Sequence, residues 1–570
     1  MSSEPDPKPA DSTPVNEPIA ASADGSHAAP KTKVRWLFPL AVVVLATIGQ
    51  VAAIFLADDD YSMLSLFGAM VWMLASLSIL GWWVFFSGLR WKTRLAGVGL
   101  LVLAAAVFLT LFRSNGQSGN FIPQFTYRFA PTAEELALEY FEQQTASPQP
   151  NGTENAPVAN GGGEDASESS TAPRLEVTDA DWPRFGGPRG DHIVRESINR
   201  DWDANPPKQL WRHPVGPAWS SFAVVGDLAF TQEQRGDNEA VVCYDANTGE
   251  QVWLHEDPER FYESASGAGP RSTPTVHDSR LYSLGATGVL NCLDPLTGSV
   301  FWSRNVVEDA DTELIEWGMA GAPLIHEELV IVNPGGPNGA VAAYDRLTGT
   351  KQWAGGHHKA SYATPQLAVL DGVPQLLIYC SEGICGHDVA DGEQLWFFAW
   401  TNLTRLNIAQ PIVLPDKGVF ISSGYGTGSA LLDVSKDGET WAVESRWERP
   451  NKFKLKFNGG IHKDGYVYGL DEGILSCFDL EEGKRTWKRG RYKFGQVLMV
   501  GEDLLVSTEA GDVVLIEASP ESMNEIAKFK AIEGKTWNHP VLNRGRLFVR
   551  NAEEAACYDL RPPTATAQLD

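Results

Sequence analysis

Cysteine and positive charge are what this chain has least of. Its six cysteines in 570 residues form no Cys-x-x-Cys pair and no haem-attaching Cys-x-x-Cys-His run. That excludes a dense disulfide framework, a zinc pattern of closely spaced Cys and His, and thiol redox chemistry as the main activity. Lysine and arginine number 46 against 72 aspartates and glutamates, a formal net charge of -26. Nucleic acid finds no overall attraction here, because cationic contacts to phosphate supply most of such affinity. The sequence also lacks a phosphate loop, a Gly-x-Ser-x-Gly elbow and a His-Glu-x-x-His helix. "GYGTGSA" at Gly424 precedes a strand pattern and reads as a turn. His357 and His358 are adjacent, and strand neighbours point to opposite faces, so the pair does not read as a shared metal site. No metal and no catalytic set is expected.

Long apolar runs are present. Residues 1–33 are rich in Pro, Ser, Ala and Asp and read as a disordered cytoplasmic tail. Within 34–113 lie three apolar runs (36–57, 61–89 and 95–112), each near or above the roughly 20 residues that cross a bilayer. Some thirty polar residues ahead of the first run argue against a cleaved signal peptide. Lys31, Lys33 and Arg35 precede the first run, Asp58, Asp59 and Asp60 follow it, and Arg90, Lys92 and Arg94 join the second to the third. The positive-inside rule then puts the N-terminus in the cytoplasm and everything after Arg113 outside, which for a bacterial inner membrane is the periplasm. Residues 114–174 read as a tether. It holds a short helix at 132–144, opened by a Thr132/Glu135 capping box, and a flexible stretch at 145–172 rich in Ser, Gly, Asn, Pro and Glu.

From about residue 175 a repeat takes over. "CYDANTGEQVW" (243–253) is followed by "CLDPLTGSVFW" (292–302), "AYDRLTGTKQW" (343–353), "GHDVADGEQLW" (386–396), "LLDVSKDGETW" (431–441) and "CFDLEEGKRTW" (477–487), each with Trp eight residues after Asp. With only 19 tryptophans in the chain, chance does not produce that spacing six times, and a unit of this length signals a repeat architecture. Each unit reads as four short strands, which is a propeller blade. Asp245, Asp294, Asp345, Asp388 and Asp479 can accept turn amides, and glycines such as Gly249 supply the positive φ of a tight hairpin. Trp253, Trp302, Trp353, Trp396 and Trp487 offer a flat face to a neighbouring blade. Glu517 and Asp559 mark degenerate copies, and "KQLWRHPV" (208–215), carrying Trp211, supplies the missing outer strand of the last one. The fold class is therefore all-β, an eight-bladed propeller over 175–562 behind three transmembrane helices, with a disordered tail at 563–570.

This repeat resembles the tryptophan-docking motif of the pyrroloquinoline quinone (PQQ)-type eight-bladed propellers, a superfamily that includes PQQ-dependent dehydrogenases and the BamB-type assembly lipoproteins. "DWPRFGGPRGDH" (181–192) is similar to the segment that leads into many such propellers. The dehydrogenases typically carry adjacent cysteines over the cofactor, or a fused haem domain, and neither is present. Their calcium and carboxylate positions find no residue-by-residue match in these short blades. The resemblance therefore implies a BamB-like, non-catalytic binding or scaffold module for periplasmic proteins or ligands. The alternative it implies is a membrane-bound dehydrogenase, using PQQ with calcium to oxidise an alcohol or sugar and passing electrons to quinone.

Cys243, Cys292, Cys477 and Cys557 share one slot, two residues before the repeat acid, that elsewhere takes Ala343 or Gly386, so they read as small buried hydrophobes. Cys380 and Cys385 flank a tight hairpin. An oxidising compartment permits a bridge there, opposed strand positions often hold sulfurs at poor geometry, and the pairing stays open. The candidate site lies elsewhere, in connections leading from one blade to the next. Arg271, Lys359, Tyr362, Arg405, Asn407, Lys456, Asn458, Lys493, Trp537 and Asn538 fall there and would form an electropositive funnel for an anionic ligand.

Overall fold

The computed structural model describes residues 36–56, 61–146, 174–415 and 418–563. The expected terminal tails, the charged residues Lys31, Lys33, Arg35 and Asp58 to Asp60, and most of the flexible stretch lie outside the described residues. Three helices come first: α1 (Leu37–Leu56), α2 (Tyr61–Phe85) and α3 (Trp91–Leu111). By length and composition all three can cross a membrane. α2 stops short of residue 89 because Ser87 turns its hydroxyl onto the Trp83 carbonyl (2.8 Å) and Gly88 adopts φ +75°. α3 starts at Trp91, so Lys92 and Arg94 lie in its first turn. Arg94 donates to the Val84 carbonyl (2.7 Å) and the Leu89 carbonyl (2.9 Å), setting a cation on acceptors that the end of α2 leaves open.

The expected tether begins as ordered structure. Phe112–Gln117 (β1) and Pro123–Tyr127 (β2) pair antiparallel. Next, Thr132 Oγ1 accepts the Glu135 amide (3.0 Å) and Glu135 Oε2 accepts the Thr132 amide (2.6 Å), capping α4 (Ala133–Ala146). That helix buries Ala137 and Phe141 against the propeller and pairs Glu134 with Arg260 at 2.8 Å.

Seven blades are sequential four-stranded antiparallel meanders over 223–257, 275–305, 324–355, 366–399, 412–450, 461–491 and 496–530. In the eighth, 541–559 takes Lys208–Pro214 as its outer strand, so the chain closes its own ring and leaves no open edge there. A short lead-in strand, Ile193–Val194, adds in parallel to the inner strand of the seventh blade.

The repeat residues have physical jobs. Asp245 Oδ1 accepts the amides of Asn247 (2.8 Å) and Thr248 (2.9 Å). The indole N–H of each of several tryptophans donates to the next blade, at the residue after the Asp or close to it: Trp211 to Ala246 (3.1 Å), Trp253 to Pro295 (3.0 Å), Trp302 to Arg346 (3.1 Å) and Trp487 to Ser519 (3.0 Å). Gly249, Gly298, Gly349 and Gly392 have positive φ, and a Cβ on any of them would lie 2.6 to 2.7 Å from the preceding blade's tryptophan ring. Within a blade, the cysteine slot faces the tryptophan across the strands, as in Cys243 opposite Trp253 and Gly386 opposite Trp396. Burial pushes these thiols up, Cys292 to about 11 and Cys557 to about 12, so they stay protonated and inert.

The fifth blade departs from the spacing. Its hairpin runs past Asp433 to Asp437 before turning, and the residue opposite Leu431 is Trp447, which is buried and donates to Leu480 O at 2.8 Å. Trp441, eight residues after Asp433, faces Lys436 near the tip of the hairpin and packs, half-buried, against the core shared by the fourth and fifth blades, leaving the docking position to Trp447. The seventh blade fills the tryptophan position with Ala527, opposite Leu515.

Candidate functional site

The connections between blades converge on the central axis and enclose a cavity of about 200 Å³. Of the ten residues expected there, Arg271, Tyr362, Lys456, Asn458 and Trp537 line it. Lys359, Arg405 and Lys493 are exposed and lie outside its lining. Asn407 and Asn538 are buried and hold backbone: Asn407 Nδ2 donates to the Cys380 and Trp400 carbonyls (both 2.9 Å), and Asn538 Nδ2 to those of Ala218 (3.2 Å) and Ser220 (2.8 Å). Asn458 combines both roles, donating to Leu470 O at 3.2 Å.

The cations inside the funnel are engaged by the chain itself. The turn joining β1 to β2 enters the mouth. Lys456 Nζ donates to the Gly119 carbonyl (2.8 Å) and to Ser62 Oγ at the start of α2 (3.0 Å), and lies over the rings of Phe121, Tyr425 and Phe494 at 4.3 to 4.7 Å. Glu509 Oε1 accepts both the Gly119 amide and the Trp537 indole N–H at 3.0 Å. Lys535 Nζ donates to Gln117 O (3.3 Å) over the Trp537 ring, and burial pulls its amine down to about 8. Arg271 spends its guanidinium on Trp317 O, Ser266 Oγ and Gly267 O (3.0 to 3.2 Å), and burial lowers it to about 10. A Cβ on Gly119 would sit 2.1 Å from Phe494, so the turn approaches this closely only as glycine. Arg491 covers the Tyr61 ring at 3.5 Å. The start of α2 and the hairpin after α3 therefore meet the same mouth, and the funnel is the end of the propeller next to the apolar helices.

Deeper in the site, His192 of the lead-in segment stacks on His539 (4.7 Å between centroids), with Phe185 edge-on to both. Burial lowers His192 to about 4 and His539 well below the usual range, so both are neutral. Gly119, Glu509 and the histidine pair escape a reading of the sequence, which holds only "QSGNF" as a turn signal for the first and nothing for the others. Among the described residues lining the cavity there is no Asp or Glu. Calcium takes about six to eight oxygen ligands with carboxylates foremost, and the carboxylate beside the lining, Glu509, is engaged through Oε1 by the Gly119 amide and the Trp537 indole N–H, so this donor set does not fit a PQQ–calcium pair.

A family model described as outer membrane protein assembly factor BamB matches residues 237–489. Among solved structures, BamB from Moraxella catarrhalis is 16% identical with a TM-score of 0.46, covering 62% of this chain and 97% of its own. A quinohemoprotein alcohol dehydrogenase from Comamonas testosteroni is 13% identical with a TM-score of 0.48, covering 68% and 82%. A europium-containing methanol dehydrogenase is 12% identical with a TM-score of 0.41, covering 67% and 91%. No curated protein matches significantly. The chain thus carries eight four-stranded blades behind three apolar helices, with a tryptophan in the docking position of every blade but the seventh, and the middle of the propeller matches the BamB family model.

Proposed function

We propose that the protein is anchored in the inner membrane and presents its propeller in the periplasm as a non-catalytic binding or scaffold module for cell-envelope proteins or ligands. The observation that carries this reading is the self-capped funnel. Its cations are engaged by Gly119, Gln117, Ser62 and backbone carbonyls, and the remaining cavity of about 200 Å³ is smaller than the roughly 300–1,000 Å³ of small-molecule sites. The match to the BamB family model points the same way. The basic residues Arg90, Lys92 and Arg94 in and beside the α2–α3 connection favour a cytoplasmic side for it, and the propeller meets the opposite helix ends, which supports a periplasmic propeller.

That leaves the far end of the ring for partners. The turns joining the first two strands of successive blades lie there and expose Asp227, Asp278, Glu327, Glu328, Asp371, Asp464 and Glu502. Asp227, Asp278, Glu328 and Glu502 already pair with Arg546, Arg346 and Lys463; Glu327, Asp371 and Asp464 add negative charge beside them, which favours a partner with a basic surface. The purified full chain, incubated with PQQ and calcium, is expected to give no bound-quinone spectrum and no dye reduction with alcohols or sugars. Clear turnover would overturn the reading in favour of a dehydrogenase.

A further inference from the structure

Three metal-ligating side chains from two places in the sequence meet where the third blade leads into the fourth, and a fourth lies beside one of them. His358 lies in that connection, Cys380 and Glu382 in the turn between the second and third strands of the fourth blade, and Cys385 on its third strand. The ligand atoms of His358, Cys380 and Glu382 all lie within 4.8 Å of one another. Cys385 Sγ is 3.8 Å from Cys380 Sγ, and both thiols are free and buried. The adjacent histidines do not sit on a strand, which is why they do not diverge. Instead His358 is held flat between His357 (4.4 Å) and Phe397 (4.5 Å), in a fixed orientation.

We propose that His358, Cys380, Glu382 and Cys385 form a tetrahedral site for a zinc-type divalent cation, stapling the connection ahead of the fourth blade to the turn inside it. Two opposite edges of the set already have suitable lengths. Bonds of about 2.3 Å to sulfur and about 2.1 Å to nitrogen or oxygen give tetrahedral edges of about 3.8 Å for S···S and about 3.4 Å for N···O. The structure has 3.8 Å between the thiols and 3.5 Å from His358 Nδ1 to Glu382 Oε2. The latter is too long for a good hydrogen bond, and Glu382 Oε2 is buried with no other partner among the described residues. The chemistry of the ligands agrees. Mixed thiolate and imidazole donors select zinc-type over hard cations. The backbone carrying the ligands is itself held: Asn407 Nδ2 donates to Cys380 O (2.9 Å), and Trp400 N donates to Glu382 O (3.0 Å).

The test uses the detergent-solubilised full chain, reduced and chelator-stripped, titrated with cobalt(II) and then zinc. The expected result is one cobalt per chain, with a thiolate-to-cobalt charge-transfer band that one equivalent of zinc removes. Cys385→Ser and Cys380→Ser should each leave about half of that band or less, one of two sulfur ligands being gone, and the double variant should abolish it. Glu382→Gln, at a partly exposed position, should weaken cobalt binding by about tenfold or more with circular dichroism unchanged. Three results would overturn the proposal: no charge-transfer band in the unmodified chain, a band that persists unchanged in Cys380→Ser and Glu382→Gln, or thiol counting that finds Cys380 and Cys385 joined in the protein as isolated.

Discussion

Gly349 meets two demands at one Cα. Its φ of +69° closes the turn after Asp345, and its missing Cβ makes room for Trp302 of the preceding blade, whose Cδ2 would be 2.6 Å away. Gly438 satisfies only the first demand: φ is +59°, and a methyl group added at its Cα would find nothing within 4 Å. Gly349→Ala should therefore cost roughly 2–4 kcal/mol, backbone strain plus overpacking, while Gly438→Ala should cost only about 1 kcal/mol. Thermal unfolding of the two variants checks this, and equal losses would contradict the docking role. The sequence makes the turn role of these glycines legible, since Asp and Gly at fixed spacing have one local meaning. The docking role depends on a ring contributed by the preceding blade, in this case by Trp302, a contact that local spacing does not encode.

At the level of elements, the blades were legible and their exceptions were not. Eight acids at regular spacing identify the blades, but in the fifth a longer hairpin moves the docking residue to Trp447, and Trp441 keeps the repeat spacing by coincidence. The β1–β2 hairpin was hidden because its polar, glycine-rich tip has the composition of a linker. The lead-in segment supplies a testable coupling between elements, because its His192 stacks on His539 ahead of the eighth blade. Asp191 favours a charge on His192, but burial outweighs it and holds the imidazole at about 4. An unfolded histidine takes up its proton near pH 6.5. Stability is therefore complete above that pH and is lost as pH falls from about 6.5 to about 4, by roughly 3 kcal/mol for this one group. His192→Phe should flatten the fall of Tm across that window. A variant whose Tm drops as steeply as that of the parent chain would contradict the assignment.

For the whole molecule, the funnel was half legible. Basic and aromatic residues in the connections between blades did mark the axis, and Arg271, Lys456 and Trp537 reach it. Lys359, Arg405 and Lys493 carry the same chemistry but end in solvent, because a connection's direction depends on its turn geometry and not on its composition. What the sequence could not convey is that the protein fills its own funnel mouth with a turn fixed to the apolar helices. That closure is what the proposed binding module depends on, and it rests on the Gln117 amide donating to Ala265 O and the Gly119 amide donating to Glu509 Oε1, both at 3.0 Å. Hydrogen exchange at those two amides in the full-length chain tests it most directly, with Gly119→Leu as the reference in which the turn is expelled. The account predicts protection comparable to the blade strands in the parent chain and its loss in Gly119→Leu; amides of the parent chain that exchange at the rate of an unstructured peptide would contradict it.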